Sequence, residues 1–261
     1  MKKILILFIV AFFYSCSNTS SEFVNVSLPN FKPQVPTNTD NIEKTNIKVK
    51  LSNINLIQNN NNSLDFEQSV LKIRINKEIE LLKENLKEQI STILALKGYN
   101  ISDQDYDYEL NTTIVINLEE TNIIQSNQFF NGQSIESDLI LSFKANIDFI
   151  NIKDINNTTN ITTDANLDSN IKIIYPVKSE DGVTMFKTSL SSVPTQLNKG
   201  LERPAFDIDR AFLSFYKNTL NTLYNNLPMA QEEKTEKEFN EFNPNLQDTN
   251  TSSEEEVIIL E

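Results

Sequence analysis

The spacing of apolar residues changes along the chain, and its main change decides the fold class. Leu71, Ile75, Ile79, Leu82, Leu86, Ile90 and Ile93 recur every three or four positions, which places them on one face of a helix. From residue 112 to 176 the period drops toward two, the mark of half-buried strands. A helical block followed by a strand block predicts a single α+β domain. The long helix and a C-terminal helix are expected to pack on one face of a twisted antiparallel sheet whose other face stays wet.

The spacing also sets approximate boundaries. Ile47, Val49 and Leu51 alternate with polar residues and predict one strand over residues 46–57, with a turn at 59–63. A helix is expected over 64–97, with Ser63 or Asp65 as its cap and Gly98 at the left-handed position that ends it. Its first part is ambiguous, because Leu71, Ile73 and Ile75 also alternate like a strand. Glu78, Lys83, Glu84, Lys87 and Glu88 are expected on the solvent face. Tyr99 and Ile101 suggest an immediate return into a strand. Further strands are expected at 113–119, 139–152, 160–164 and 170–175, with turns at 131–132 and 156–157. Residues 175–204 read as loop with a short strand at 183–190. Ile208, Phe212, Phe215, Thr219, Leu223 and Leu227 form the stripe of a helix over 206–227, with Asp207 as cap and Pro228 as stop.

The N-terminus reads as an export signal. Lys2 and Lys3 precede an unbroken apolar run of 10 residues, from 4 to 13. A bilayer core needs about 20 residues, so the run fits a signal-peptide core better than a membrane span. It ends in Phe13-Tyr14-Ser15-Cys16, a relaxed bacterial lipobox with Phe in place of the usual Leu. A plain signal peptide with an incidental cysteine is the alternative, but Cys16 is the only cysteine in the chain. The domain plan is a signal peptide at 1–15, the lipidated Cys16 and a flexible Ser/Thr/Asn/Pro-rich tether at 16–45, a globular domain at 46–228 and a disordered acidic tail at 229–261. Cys16 would anchor the chain in a membrane through acyl chains. Ser17, where inner-membrane lipoproteins carry Asp, favours the outer membrane by analogy.

Composition excludes several chemistries. There is no His, and one Cys cannot build a zinc site or an internal disulfide. The net charge of −13 argues against nucleic acid as partner. With 4 Gly, neither of the common phosphate-binding fingerprints occurs. The chain is therefore read as non-enzymatic, with no cofactor and no metal. Asp103, Asp105, Asp107 and Glu109 begin like a calcium loop, but Tyr108 stands where the loop needs Gly and Ile114 where it needs Glu. Lys178 and Ser179 are loop neighbours with nothing to mark them as a nucleophilic pair. Asn111, Asn156 and Asn250 match the acidic-extended acceptor of some bacterial N-glycosylation systems, in a chain holding 36 Asn. The two amphipathic helices are expected to be core elements, because neither polar face reads as strongly basic.

The order of parts resembles the HpaA-type neuraminyllactose-binding haemagglutinin lipoproteins of Helicobacter and relatives, over roughly residues 46–227. The best local matches are N-K-E-I-E-L-L-K-E-N-L-K-E-Q-I-S-T-I-L-A-L-K-G-Y at 76–99 and D-R-A-F-L-S-F-Y-K-N-T-L at 209–220. The resemblance implies a surface-exposed, adhesin-like or flagellar-sheath lipoprotein with a host glycan as ligand. The rival expectation is a periplasm-facing accessory lipoprotein that binds an envelope protein. In the resembled family the sugar contact is proposed for a Lys/Arg-rich motif in the meander loop. Here no Lys or Arg lies between Lys97 and Lys144, while Asp103, Asp105, Asp107, Glu109, Glu119, Glu120, Glu136 and Asp138 are all acidic. That motif does not carry over, and no sugar-binding residue is assigned.

Overall fold

The computed structural model describes residues 23–36, 42, 45–128, 132–166, 170–176 and 195–230. Cys16, the expected strand at 183–190, Lys178, Ser179, Asn250 and the acidic tail beyond Ala230 lie outside the described residues.

Two long strands form the spine. β5 (Tyr108–Gln128) and β6 (Gly132–Asn151) pair antiparallel from Tyr108↔Asn151 to Gln128↔Gly132. Their alternation is clean. Leu110, Ile114, Ile116, Leu118, Leu141, Phe143, Ile147 and Phe149 are buried on one face, while Asn117, Lys144 and Glu136 point to the other. Each spine strand is edged by two shorter ones. β7 (Thr158–Asn166) and β8 (Ile171–Pro176) run antiparallel along β6. β2 (Lys48–Leu51) and β3 (Asn55–Asn61) run parallel along β5, and β4 (Asn100–Ile101) pairs parallel with β2. The single strand expected over 46–57 is thus two, separated at residues 52–54. The α+β class and an antiparallel β5–β6–β7 meander are present, with β8 returning to the same edge of β6. The other edge is parallel because the chain crosses over through a helix before entering β5. A bulge between Thr121 and Ile124 interrupts the β5–β6 register, and Asn122 takes φ 52° there.

The helical region is two elements, α1 (Leu64–Glu67) and α2 (Val70–Leu96). Each has its own serine cap: Ser63 Oγ accepts from the Phe66 N–H at 3.1 Å, and Ser69 Oγ accepts from Lys72 at 3.2 Å. Gly98 follows at φ 88°, the left-handed stop its position predicts. The C-terminal helix, α3 (Glu202–Asn226), starts four residues earlier than expected. Pro204 lies inside its first turn, where a missing N–H costs nothing. Asp207 is therefore a helix-interior residue and not the cap; Leu201 occupies that position without a side-chain bond. Both long helices cover the apolar face of the sheet. Phe143 of β6 lies 4.9 Å from Phe212 and 4.9 Å from Phe215, ring centre to ring centre.

The expected tether is partly core. β1 (Phe23–Asn25) pairs antiparallel with β9 (Gln196–Asn198). Val26 and Phe31 are buried, and the Phe31 ring meets Tyr216 of α3 at 5.1 Å. The physical reason is local. Phe23, Val24, Val26, Leu28 and Phe31 are dense enough to bury, although the average composition of 17–45 is polar. The packed body therefore begins at or before Phe23, not at Asn46.

Candidate functional site

The amino-terminal ends of α2 and α3 meet around a buried arginine. Arg74 is fully buried. Its Nη1 donates to Val26 O at 2.8 Å, and its Nη2 donates to Ser27 O at 2.7 Å and to both Asp209 oxygens at 2.8 and 2.9 Å. One side chain thus ties the leader segment to α2 and α3. Glu78, one turn on in α2, is also fully buried, contrary to its expected place on the solvent face. Its Oε1 lies 2.9 Å from Arg74 Nε, but the approach is misaligned for a hydrogen bond. Burial, then the charge of Asp209, pushes the Glu78 carboxyl up to about 9, and Arg74 offsets this only in part. The shift favours the proton-bearing form of Glu78 and leaves Arg74 and Asp209 as the ion pair. Their arrangement is that of a lock.

Outside this lock, the exposed face of α3 lines an open groove of about 930 Å³. Lys199, Arg203, Arg210 and Lys217 stand along it, with Pro29, Phe206 and Leu213 between them. Phe206 is 50% exposed. Two carboxylates intervene, Glu202 and Asp207, and Asp207 Oδ1 lies 3.6 Å from Arg210 Nη1. Asp209 also borders the groove but is held by Arg74. All 3 arginines of the chain converge on this end, one inside and two outside. The face mixes both signs, in keeping with the expectation that neither polar helix face is strongly basic. The signal was present in the seven-residue spacing of Arg203, Arg210 and Lys217, which share one face of α3, with Lys199 in the turn before it. The apolar stripe on the opposite face masks it.

A third buried carboxylate, Glu120, belongs to the acidic segment but points into the core. Its Oε1 accepts from Ser137 Oγ and from Tyr175 OH, each at 2.6 Å, and its Oε2 accepts from Ser63 N–H at 3.0 Å. Burial alone would raise its affinity for protons. The bonds from Ser137, Ser63 and Tyr175 outweigh that and hold it below the usual carboxylate range. The cluster joins β5, β6 and β8 to the cap of α1.

The remaining sequence candidates disperse. Asp103 and Asp105 are exposed in the turn after β4, with Asp105 at φ 50°. Asp107 accepts from the Lys48 N–H at 3.1 Å and from Lys153 at 3.1 Å. Glu109 accepts from Ser52 Oγ at 2.7 Å and pairs with Lys50 at 3.0 Å. Both are held below the ordinary carboxylate range by those donors, the Lys48 N–H first for Asp107 and Ser52 first for Glu109. Among the described residues no three His, Cys, Asp or Glu gather as metal ligands. Glu119 accepts from Asn61 and Asp138 from Asn122. Asn111 is half-buried within β5, opposite Asp148, whereas Asn156 lies in the exposed turn between β6 and β7. No described helix is long and apolar enough to cross a membrane.

No family model matches the chain. No curated protein matches it either. Among solved structures it is similar to a Helicobacter pylori protein described as a neuraminyllactose-binding hemagglutinin homolog, at 14% identity and TM-score 0.41, over 84% of this chain and 100% of that one. It is also similar to a Xanthomonas campestris protein of family DUF330, at 7% identity and TM-score 0.30, over 77% of this chain and 95% of that one. A minor lipoprotein from Acinetobacter baumannii is similar at 13% identity and TM-score 0.19, over 72% of this chain and 99% of that one.

Proposed function

We propose that the chain is a non-enzymatic, lipid-anchored envelope protein, with Cys16 as the lipid attachment point and an adhesin-like role on the outer surface. One juxtaposition carries the proposal. The only cysteine directly follows the apolar export segment, and only six residues separate it from Phe23, where β1 begins. A lipid on Cys16 would hold the body close to the membrane with two or three acyl chains, which anchor stably where one does not. The outward face of the sheet supports a binding role. Asn59 Nδ2 donates to Asn117 Oδ1 at 2.8 Å, and Asn117 Nδ2 donates to Ser142 Oγ at 3.0 Å, giving a row of amides and hydroxyls suited to sugar hydroxyls. The carboxylates of Glu119, Glu136 and Asp138 border that row, with Lys144 and Lys172 on the same face, Lys172 opposite Asp138.

A second proposal, a periplasm-facing lipoprotein that binds an envelope protein, is favoured by the far part of the β5–β6 hairpin. β3 ends opposite Glu119, so among the described strands nothing pairs that edge of β5 over residues 120–128. Ile123, Ile124 and Ile174 are exposed nearby. An open edge beside apolar side chains is a template for an added strand. Proteinase treatment of intact cells separates the two. Digestion of the body supports the surface role; full protection, together with capture of a partner through Ile124→Cys cross-linking, overturns it in favour of the second.

A further inference from the structure

We infer that the end of the body where α3 begins faces the bilayer, with Lys199, Arg203, Arg210 and Lys217 set against anionic lipid headgroups; this rests on Cys16 carrying the lipid.

Chain geometry comes first. From Cys16 to Phe23 the backbone spans at most about 25 Å at full extension. Phe23 lies opposite Asn198 in the β1–β9 ribbon, one residue before Lys199. The leader then runs to Pro29, which lines the same groove as Arg203 and Arg210. The anchor therefore enters the body beside the basic groove. A tether of the length that composition suggests would have left the body free to turn. The leader's pairing and its bonds to Arg74 remove that freedom.

Charge comes second. With Asp209 committed to Arg74, α3 sets Arg203, Arg210 and Lys217 against Glu202 and Asp207 along the groove, and Asp207 lies beside Arg210. Without the signal segment the chain carries −15, since Lys2 and Lys3 leave with it. An anionic surface therefore repels the chain on average, and the cations of the groove offset that repulsion locally. The opposite end carries both signs, with Lys97 over the Tyr224 ring and Lys153 paired to Asp107. The carboxyl end of α3 reaches Tyr99, whose OH bonds Pro228 O at 3.2 Å, and Tyr99 packs on Phe149 at 5.4 Å. Asp103, Asp105, Asp154 and the exposed Ile155 lie around that end. The 25 residues of α3 separate the two ends by about 37 Å. Phe206 and Phe23, 50% and 47% exposed, add apolar area at the basic end for the headgroup boundary.

The test uses the mature lipidated protein on vesicles of phosphatidylethanolamine and phosphatidylglycerol. Acylation leaves no other thiol, so Phe206→Cys and Ile155→Cys each take a single fluorophore. Nitroxide on the lipid headgroup should quench position 206 several-fold more than position 155. Equal quenching, or stronger quenching at 155, overturns the orientation while leaving the anchor intact. In parallel, the mature chain carrying Cys16→Ser is sedimented with the same vesicles and with zwitterionic phosphatidylcholine vesicles. Binding to the anionic vesicles alone is expected. It should fall about 30-fold in Arg203→Gln/Arg210→Gln, at about fivefold per cation. Equal binding to both lipids, or no effect of the double variant, overturns the headgroup contact. So does binding of free sialyllactose that the double variant abolishes while vesicle binding is unchanged. If the protein proves to be unlipidated yet Cys16→Ser binds anionic vesicles through the two arginines, the anchor fails and the groove stands.

Discussion

The two ends of the body are closed by different physics. At the end where the leader enters, Arg74 joins two backbone carbonyls and Asp209, with Glu78 beside it. At the far end, Tyr108 stacks on Phe149 at 4.7 Å with Tyr99 edge-on to both. The rings gain from burial and from edge-to-face geometry, and ask for no partner charge. The charged lock carries a desolvation cost that only complete pairing offsets. It is therefore specific: it fixes where the leader lies. It is also sensitive to pH, because one of its carboxyls is displaced far from its unfolded value.

The largest effects should come from breaking either closure. Arg74→Ala leaves Asp209 buried without its partner and frees the carbonyls of Val26 and Ser27, and should cost about 3–5 kcal/mol in urea denaturation. Phe149→Ala should cost about 3–5 kcal/mol by opening a cavity. The ends share no partners, so the double variant should be additive within about 0.5 kcal/mol. A large coupling would mean that the two closures are one unit. The variants should differ in proteolysis, with Arg74→Ala exposing the segment around Ser27 and Phe149→Ala leaving it protected.

Glu78→Gln is the next sharpest probe, and its sign is opposite. A carboxyl raised to about 9 in the folded state keeps its proton while the unfolded chain loses it from about 4.5 upward. Stability from this group is therefore fully present below the unfolded value and declines as pH rises toward 9. Glu78→Gln should remove that decline and gain about 1 kcal/mol or more at pH 8. Denaturation midpoints from pH 5 to 9 check this, and Phe149→Ala should keep the wild-type slope. The smallest effect belongs to the groove. Arg203→Gln/Arg210→Gln should leave stability within about 0.5 kcal/mol of the parent, since neither residue is inside the lock.

The same contrast governs what was legible from sequence. The ring-closed end sits on strong periodic signals. Alternation marked the strands that carry Ile114, Phe143 and Phe149, and Gly98 marked the end of α2 correctly. Ser63 was legible as a cap because capping is local; Ser69 was hidden because the helical stripe runs through the break before it. The charged end depends on distant partners. Arg74 and Asp209 are 135 residues apart, and nothing near Glu78 in the sequence announces that it will be buried beside them. The leader was lost to averaging, since Val26 and Phe31 are few among polar neighbours. The stripe of Arg203, Arg210 and Lys217 on α3 was lost because acidic residues are interleaved with it, so its local charge is small.

The short path from Cys16 to Phe23 links the anchor to everything above, so the state of Cys16 is the most direct test. Intact-mass spectrometry of the membrane-purified protein should find a mature chain beginning at Cys16, with the added mass of diacylglycerol and an amide-linked acyl chain. A chain that begins elsewhere, or an unmodified Cys16, would contradict the account.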